Sequence, residues 1–242
     1  MKKSILFAAA GLVAGMALVT DARAEEKGWE WSPAGIGIAA PAQIPWMSTD
    51  VYGLRFGGLF GYNPCVKGLD IGVANVVRDR FVGLGLGAFS FVGDSGSFAF
   101  RVSALANVTT GKSYDLSFAP FVIQRDDAYG LSVGALNWAQ AFSGVRVACL
   151  MNWTVGVSQG LEIAPVNAGN DDFTGLQVAG MNYTSRMTGC QLGVFNYVDG
   201  VASGCQIGLI NAAENMTGVQ IGLVNIISKS SFPIMTIANA NF

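Results

Sequence analysis

Apolar residues alternate with small or polar ones along most of the chain, and the alternation comes in copies. The clearest unit is Gly-x-Gln-apolar-Gly-apolar-apolar-Asn, opening at Gly189, Gly204 and Gly218, so that successive copies start 15 and 14 residues apart. Degraded copies open at Gly175, Gly160, Gly144, Gly130, Gly83, Gly68 and Gly53, and weaker ones occupy 100–107 and 115–122. A last segment, 232–242, places Asn239 one period after Asn225, and 34–40 is a candidate first copy. Self-similarity at a fixed period marks an array and decides the fold class before any propensity does.

A period of two within each unit reads as a strand. In the copy at Gly218, the reading places Val219, Ile221 and Leu223 on one face and Gly218, Gln220, Gly222 and Val224 on the other. Across the copies the small or polar face carries Arg55, Asp70, Ser132, Arg146, Glu162, Gln177, Gln191, Gln206 and Gln220. The other face is apolar throughout. Between units run six or seven residues with turn chemistry, such as Gly169-Asn-Asp-Asp172.

Two all-β architectures satisfy this pattern. The expected one is an antiparallel up-and-down β-barrel of about 12–14 strands in an outer membrane, because about ten residues of each period match the ~9–11 that a tilted membrane strand needs. Its apolar face would meet lipid, and the nine residues named above would line the lumen. The alternative is a flat parallel β-solenoid, in which the recurring Asn and Gln stack as ladders and the apolar face forms a core. The Asn held at one position in nearly every unit favours the solenoid; the short return path favours the barrel, since a strand of about eight residues spans ~26 Å and leaves only six or seven residues to come back.

Composition narrows the function. The chain has 242 residues, 51% of them hydrophobic and only 12% charged, with 32 glycines and no histidine. Folding is expected and disorder excluded. With 14 basic against 16 acidic residues there is no footprint for nucleic acid. Lacking histidine, the chain has neither the commonest general base nor the commonest metal ligand, so no catalytic, cofactor-binding or metal-binding residues are assigned and no cofactor is expected. At the N-terminus, Met1-Lys2-Lys3, an apolar run from Ser4 to Thr20 and Ala22-Arg23-Ala24 read as a signal peptide over 1–24. Residues 25–50 then form an N-terminal segment with a candidate first strand, and 51–242 one β-repeat domain. Export, to the outer membrane or surface of a Gram-negative bacterium, is the expected destination. The alternating end of the chain, closing on Phe242, resembles the signal that hands bacterial barrels to their assembly machinery, so the expected partners are that machinery and the lipid bilayer.

The run opening at Val51, the Gly68-Leu-Asp-Ile-Gly-Val-Ala-Asn75 copy, the Gly-x-Gln-x-Gly-x-x-Asn units and the Asn-Ala-Asn-Phe ending together resemble a bacterial surface-repeat family first described in leptospires. Its members carry arrays of GLQLGLVN-like units behind a signal peptide. The likeness covers 51–242 and implies a cell-envelope protein with no catalytic residues to carry over. The units at Gly83, Phe100 and Asp115 depart from the pattern by losing Gln or Asn.

Other motifs carry little. Gly93-Asp94-Ser95-Gly96 echoes a serine-protease nucleophile, but a triad needs a histidine and the tetrapeptide reads as a turn. Asp126-Asp127 and Asp171-Asp172 read as solvated turn acids, since two adjacent carboxylates give calcium too few oxygens. The expected function is therefore non-catalytic, a structural or narrow-pore role at the outer membrane, with an exported solenoid acting as a surface binding module as the alternative. Cys190 and Cys205 separate the two, because both hold the second position of neighbouring units. Mild oxidation that joins them quantitatively, read by mass spectrometry, excludes the barrel, where they lie at opposite ends of a hairpin.

Overall fold

The structure, a computed structural model, describes residues 30–39, 42–94, 96–169 and 171–241. The signal-peptide segment 1–24 and Phe242 lie outside the described residues. Eleven strands follow in chain order: β1 (Trp31–Ala39), β2 (Ala42–Ile44), β3 (Asp50–Val92), β4 (Gly96–Thr109), β5 (Ser113–Phe118), β6 (Phe121–Thr154), β7 (Ser158–Gly169), β8 (Asp172–Thr184), β9 (Arg186–Ile207), β10 (Ile210–Ile227) and β11 (Ile234–Asn241). They pair in sequence order, and from β1 through β3 to β10 every neighbour is parallel. The long runs β3 and β6 each wind through more than one repeat. The result is a parallel β-solenoid of about 12 turns.

Register corrects the barrel. Gly144 lies on Gly160, Gly160 on Gly175, Gly175 on Gly189, Gly189 on Gly204 and Gly204 on Gly218, so each repeat stacks on its own equivalent. An antiparallel meander cannot do this. A disulfide joins Cys190 to Cys205 with their Cα atoms 4.7 Å apart, which stacked coils permit and a hairpin with the two toward opposite ends does not.

The return path that favoured the barrel is short because one repeat is two short strands and not one long one. After position 5 the chain turns a corner and runs back. Gln220 donates from Nε2 to the carbonyl of Ile226 at 3.0 Å, and Gln206 to that of Ala212 at 3.3 Å, each only six residues ahead. Backbone bonds carry the corner from coil to coil, with Val224 N–H donating to Leu209 O and Leu209 N–H to Val194 O. Alternation breaks there, so Val224 is on the outside and does not share a face with Gln220, as strict alternation had it. Gly222 makes the corner: a Cβ there would stand 2.0 Å from the Gly208 carbonyl of the coil before.

Both ends of the stack depart from the parallel rule. The hairpin strand β2 runs antiparallel to β1. At the other end β11 turns back on β10, pairing Gln220 with Asn239 and Ile221 with Ala238, so the last segment is an antiparallel cap and not a further repeat. The interior is mixed. Phe173, Met187, Ala202 and Met216 form an apolar strip with Val198, Ala213 and Ile227, and a similar strip joins Val51, Val66, Val77 and Phe81 nearer the N-terminus. A third, smaller strip joins Ala128, Ala139 and Phe142, and polar side chains fill much of the remaining interior.

The opening glycine of each repeat has no room for a side chain. Gly204 has a φ of 128° and its Cβ would lie 2.0 Å from Gly189 O. Gly204→Ala is expected to cost at least about 1–3 kcal/mol in chemical denaturation from backbone strain alone. Gly169→Ala, where the nearest atoms are 3.8 Å away, leaves stability unchanged or slightly raised.

Candidate functional site

All nine residues assigned to the small or polar face point into the coil and are buried, from Arg55 at 3% exposure to Gln220 at 0%. They line no lumen, because the space between the two walls of the coil is filled by their own side chains. The glutamines form one column. Gln220 donates to Gln206 at 2.7 Å, Gln206 to Gln191 at 2.8 Å, Gln191 to Gln177 at 2.9 Å, and Gln177 to the Glu162 carboxylate at 3.0 Å. Arg146 closes the column as a buried ion pair with Glu162.

A second column of asparagines runs on the opposite wall, from Asn137 through Asn152, Asn167, Asn182, Asn196 and Asn211 to Asn225, with amide-to-amide distances of 2.8–3.0 Å. Its donors point toward the C-terminus, whereas those of the glutamine column point toward the N-terminus. A one-way ladder leaves its first acceptor without a partner, and here the two orphans fall at opposite ends: Asn137 Oδ1 and Gln220 Oε1. Beyond Asn137 the column stops because the preceding repeat holds Val122, an apolar residue, at that level.

Two further buried pairs complete the interior. Arg55 binds Asp70 through two hydrogen bonds, of 2.7 and 2.6 Å, and Arg101 binds Asp115 at 2.5 Å. The sequence places Arg55 and Asp70 on the small face without pairing them, and it does not single out Arg101 and Asp115. Asp115 stands where other copies open with glycine, and Arg101 lies in a copy that has lost its glycines. Spacing is the signal that would have found them: the three pairs are separated by 15, 14 and 16 residues, one coil each.

Burial pushes the Glu162 carboxyl up, but the Arg146 guanidinium and hydrogen bonds from Ser158, Arg146 and Gln177 outweigh it and hold the group below its ordinary value. The interior polar groups are thus engaged with one another. Among the described residues no group of three or more Cys, Asp or Glu converges as a metal site. The paired turn acids are also taken up, Asp127 by Lys112 at 3.2 Å and Asp172 by Arg186.

What the interior excludes, the exterior shows. On one wall the outward residues are Leu54, Phe56, Leu84, Phe100, Ile163, Ile207 and Ile221; on the other they include Phe121, Leu136, Met181, Phe195 and Ile210. The corner between the walls adds Leu150, Leu209 and Leu223, exposed at 57%, 51% and 65%. This continuous apolar surface is the candidate functional site, because exposed patches of such extent mark places where a soluble or lipid partner binds. No helix among the described residues is long and apolar enough to cross a membrane.

No family model, no curated protein and no solved structure matches the chain.

The buried pair gives a direct check on the interior. Arg146→Gln and Glu162→Gln are each expected to cost about 3–5 kcal/mol in denaturant unfolding, since each strands one buried charge. The double variant replaces the pair by two more amide rungs and recovers most of that loss. The lowered Glu162 value contributes stability that is present above its unfolded value near 4.5 and is lost as pH falls from there through the folded value. The double variant therefore loses less stability than the wild type on acidification below about pH 4.5.

Proposed function

We propose that the chain is an exported β-solenoid that acts as a non-catalytic interaction module at the bacterial cell surface, binding through its outer apolar walls. The observation that carries this reading is the inverted partition of the coil. Amides and ion pairs fill its centre, and large apolar side chains stand outside over successive coils. Solvent alone does not favour such an exterior, whereas a bound partner does. The leader-like N-terminus and the resemblance to surface-repeat proteins support export, and the inward-facing polar columns are buried and hydrogen-bonded chiefly to one another. A pore has no support, since its lumen belonged to the barrel.

The test is location and accessibility. Cell fractionation is expected to recover the chain, processed after Ala24, in the envelope fraction, and protease treatment of intact cells to cleave it in the turns that carry its exposed charges. Recovery of the unprocessed chain in the cytoplasm, or full protection until cells are lysed, overturns the surface assignment.

A further inference from the structure

Charge on the outside of the solenoid is confined to one edge. Arg55, Asp70, Arg101, Asp115, Arg146 and Glu162 pair inside; every other charged residue in the described chain falls in the segments that connect one coil to the next, except Lys67, which stands in the first row of a wall beside that edge with its ammonium 4.4 Å over the Tyr52 ring. These residues form a ladder of their own along the edge, Lys112 with Asp127, Arg186 with Asp172 and Lys229 with Glu214 at 2.6 Å. Beyond the row that holds Lys67, neither apolar wall carries a charge among the described residues, nor does the corner opposite.

All six tyrosines border that edge. Tyr52, Tyr114 and Tyr129 immediately precede an opening residue on one wall, and Tyr183 and Tyr197 follow the ladder asparagine on the other. Tyr62 lies beside Arg78, an edge residue. Two of the hydroxyls bond edge acids, Tyr52 donating to Asp50 at 3.2 Å and Tyr197 to Asp199 at 3.0 Å, and two pairs of rings stack coil on coil, Tyr114 on Tyr129 at 4.8 Å and Tyr183 on Tyr197 at 5.7 Å. Trp138 and Trp153 hold the place that Tyr183 holds, next to Asn137 and Asn152. Beyond this row come aliphatic residues, phenylalanine and methionine, with cysteine and proline among them. Charge, then a belt of tyrosine and tryptophan, then hydrocarbon is the order of layers across a membrane interface.

The depth agrees. About five residues of extended chain separate the tyrosine row from the glycine corner, roughly 17 Å at ~3.3 Å per residue. One leaflet offers half of a ~30 Å hydrocarbon core, about 15 Å. Backbone groups raise no obstacle along the stack, since parallel pairing satisfies them coil to coil, the corner included. A single protein partner would have to envelop two walls and the corner between them to cover the same surface; a leaflet does so by its nature.

We infer that the solenoid lies on its side in one leaflet of a lipid bilayer, its two apolar walls and corner immersed in acyl chains and its charged edge among the headgroups. The inference rests on the surface-module reading and names the partner as lipid hydrocarbon. It needs no anionic headgroup, because the immersed surface carries no charge.

The probe is a vesicle of phosphatidylcholine alone, added to the full processed chain. The chain is expected to float with the vesicles. An environment-sensitive fluorophore on Cys149, which is exposed at the corner, is placed in a Cys65→Ser background. It shifts to the blue and is quenched by nitroxides deep in the acyl chains. The same fluorophore on Glu214→Cys, in a background with Cys65→Ser and Cys149→Ser, is quenched by aqueous iodide and not by the deep nitroxides. Leu150→Asp combined with Leu209→Asp and Leu223→Asp keeps the circular dichroism of the folded chain, because these side chains are already exposed, and lowers vesicle affinity at least about tenfold. Three results overturn the inference: a folded chain that does not float, equal deep quenching at both sites, or a dimer in buffer that persists with vesicles and leaves Cys149 unquenched. If surface exposure on cells holds while any of these is found, the lipid assignment alone falls and the interaction module stands.

Discussion

Stacking like on like is the constraint from which the rest of this molecule follows. In a parallel solenoid each residue sits about 4.8 Å from its equivalent in the next coil, so any side chain admitted to the interior must tolerate a copy of itself. Asparagine and glutamine meet the condition because an amide is both donor and acceptor, and a column of them gives every rung a partner on each side. Each rung contributes only about 1 kcal/mol net, yet an unpaired buried amide would cost more than that, so the column holds register as much as it adds stability. The opposed senses of the two columns place their unpaired acceptors at opposite ends of the columns, Asn137 midway along the solenoid and Gln220 near its C-terminal end.

Ion pairs enter where the amide rule cannot be kept. Like charges one coil apart would repel, so a charged residue in the column needs its opposite as the next rung. Arg55 with Asp70 and Arg146 with Glu162 meet that need on the next rung, while Arg101, whose own rung is Ser117, reaches Asp115 two residues earlier in the same neighbouring coil. The pair of Arg146 and Glu162 also terminates the glutamine column, whose final donor falls on a carboxylate already held by arginine. Such pairs do little for net stability, and their value lies in fixing which coil lies on which.

A thin coil with a polar centre has no room left for most of its apolar side chains. Hydrocarbon is buried mainly in the strips around Met187 and Met216, around Val66 and Phe81, and around Ala128, Ala139 and Phe142. The remaining Leu, Ile and Phe are displaced outward on both walls, and the exterior becomes the surface that calls for a partner. The same packing decision that builds the interior thus creates the site.

The repeat, its period of 14–15 residues and the inward course of Arg55, Asp70, Ser132, Arg146, Glu162, Gln177, Gln191, Gln206 and Gln220 are legible in the amino-acid order, because alternation records which residues share a face. What lies behind each face is not, since lipid outside a barrel and an apolar surface outside a solenoid call for the same pattern. Tertiary structure decided that, through the corner at Gly222 and Leu223, which splits one apparent strand into two and lets fourteen residues close a coil. It also settled Arg101 with Asp115 and the antiparallel cap β11. Those depend on residues one coil apart or at a chain end, whose partners a local reading of alternation cannot assign.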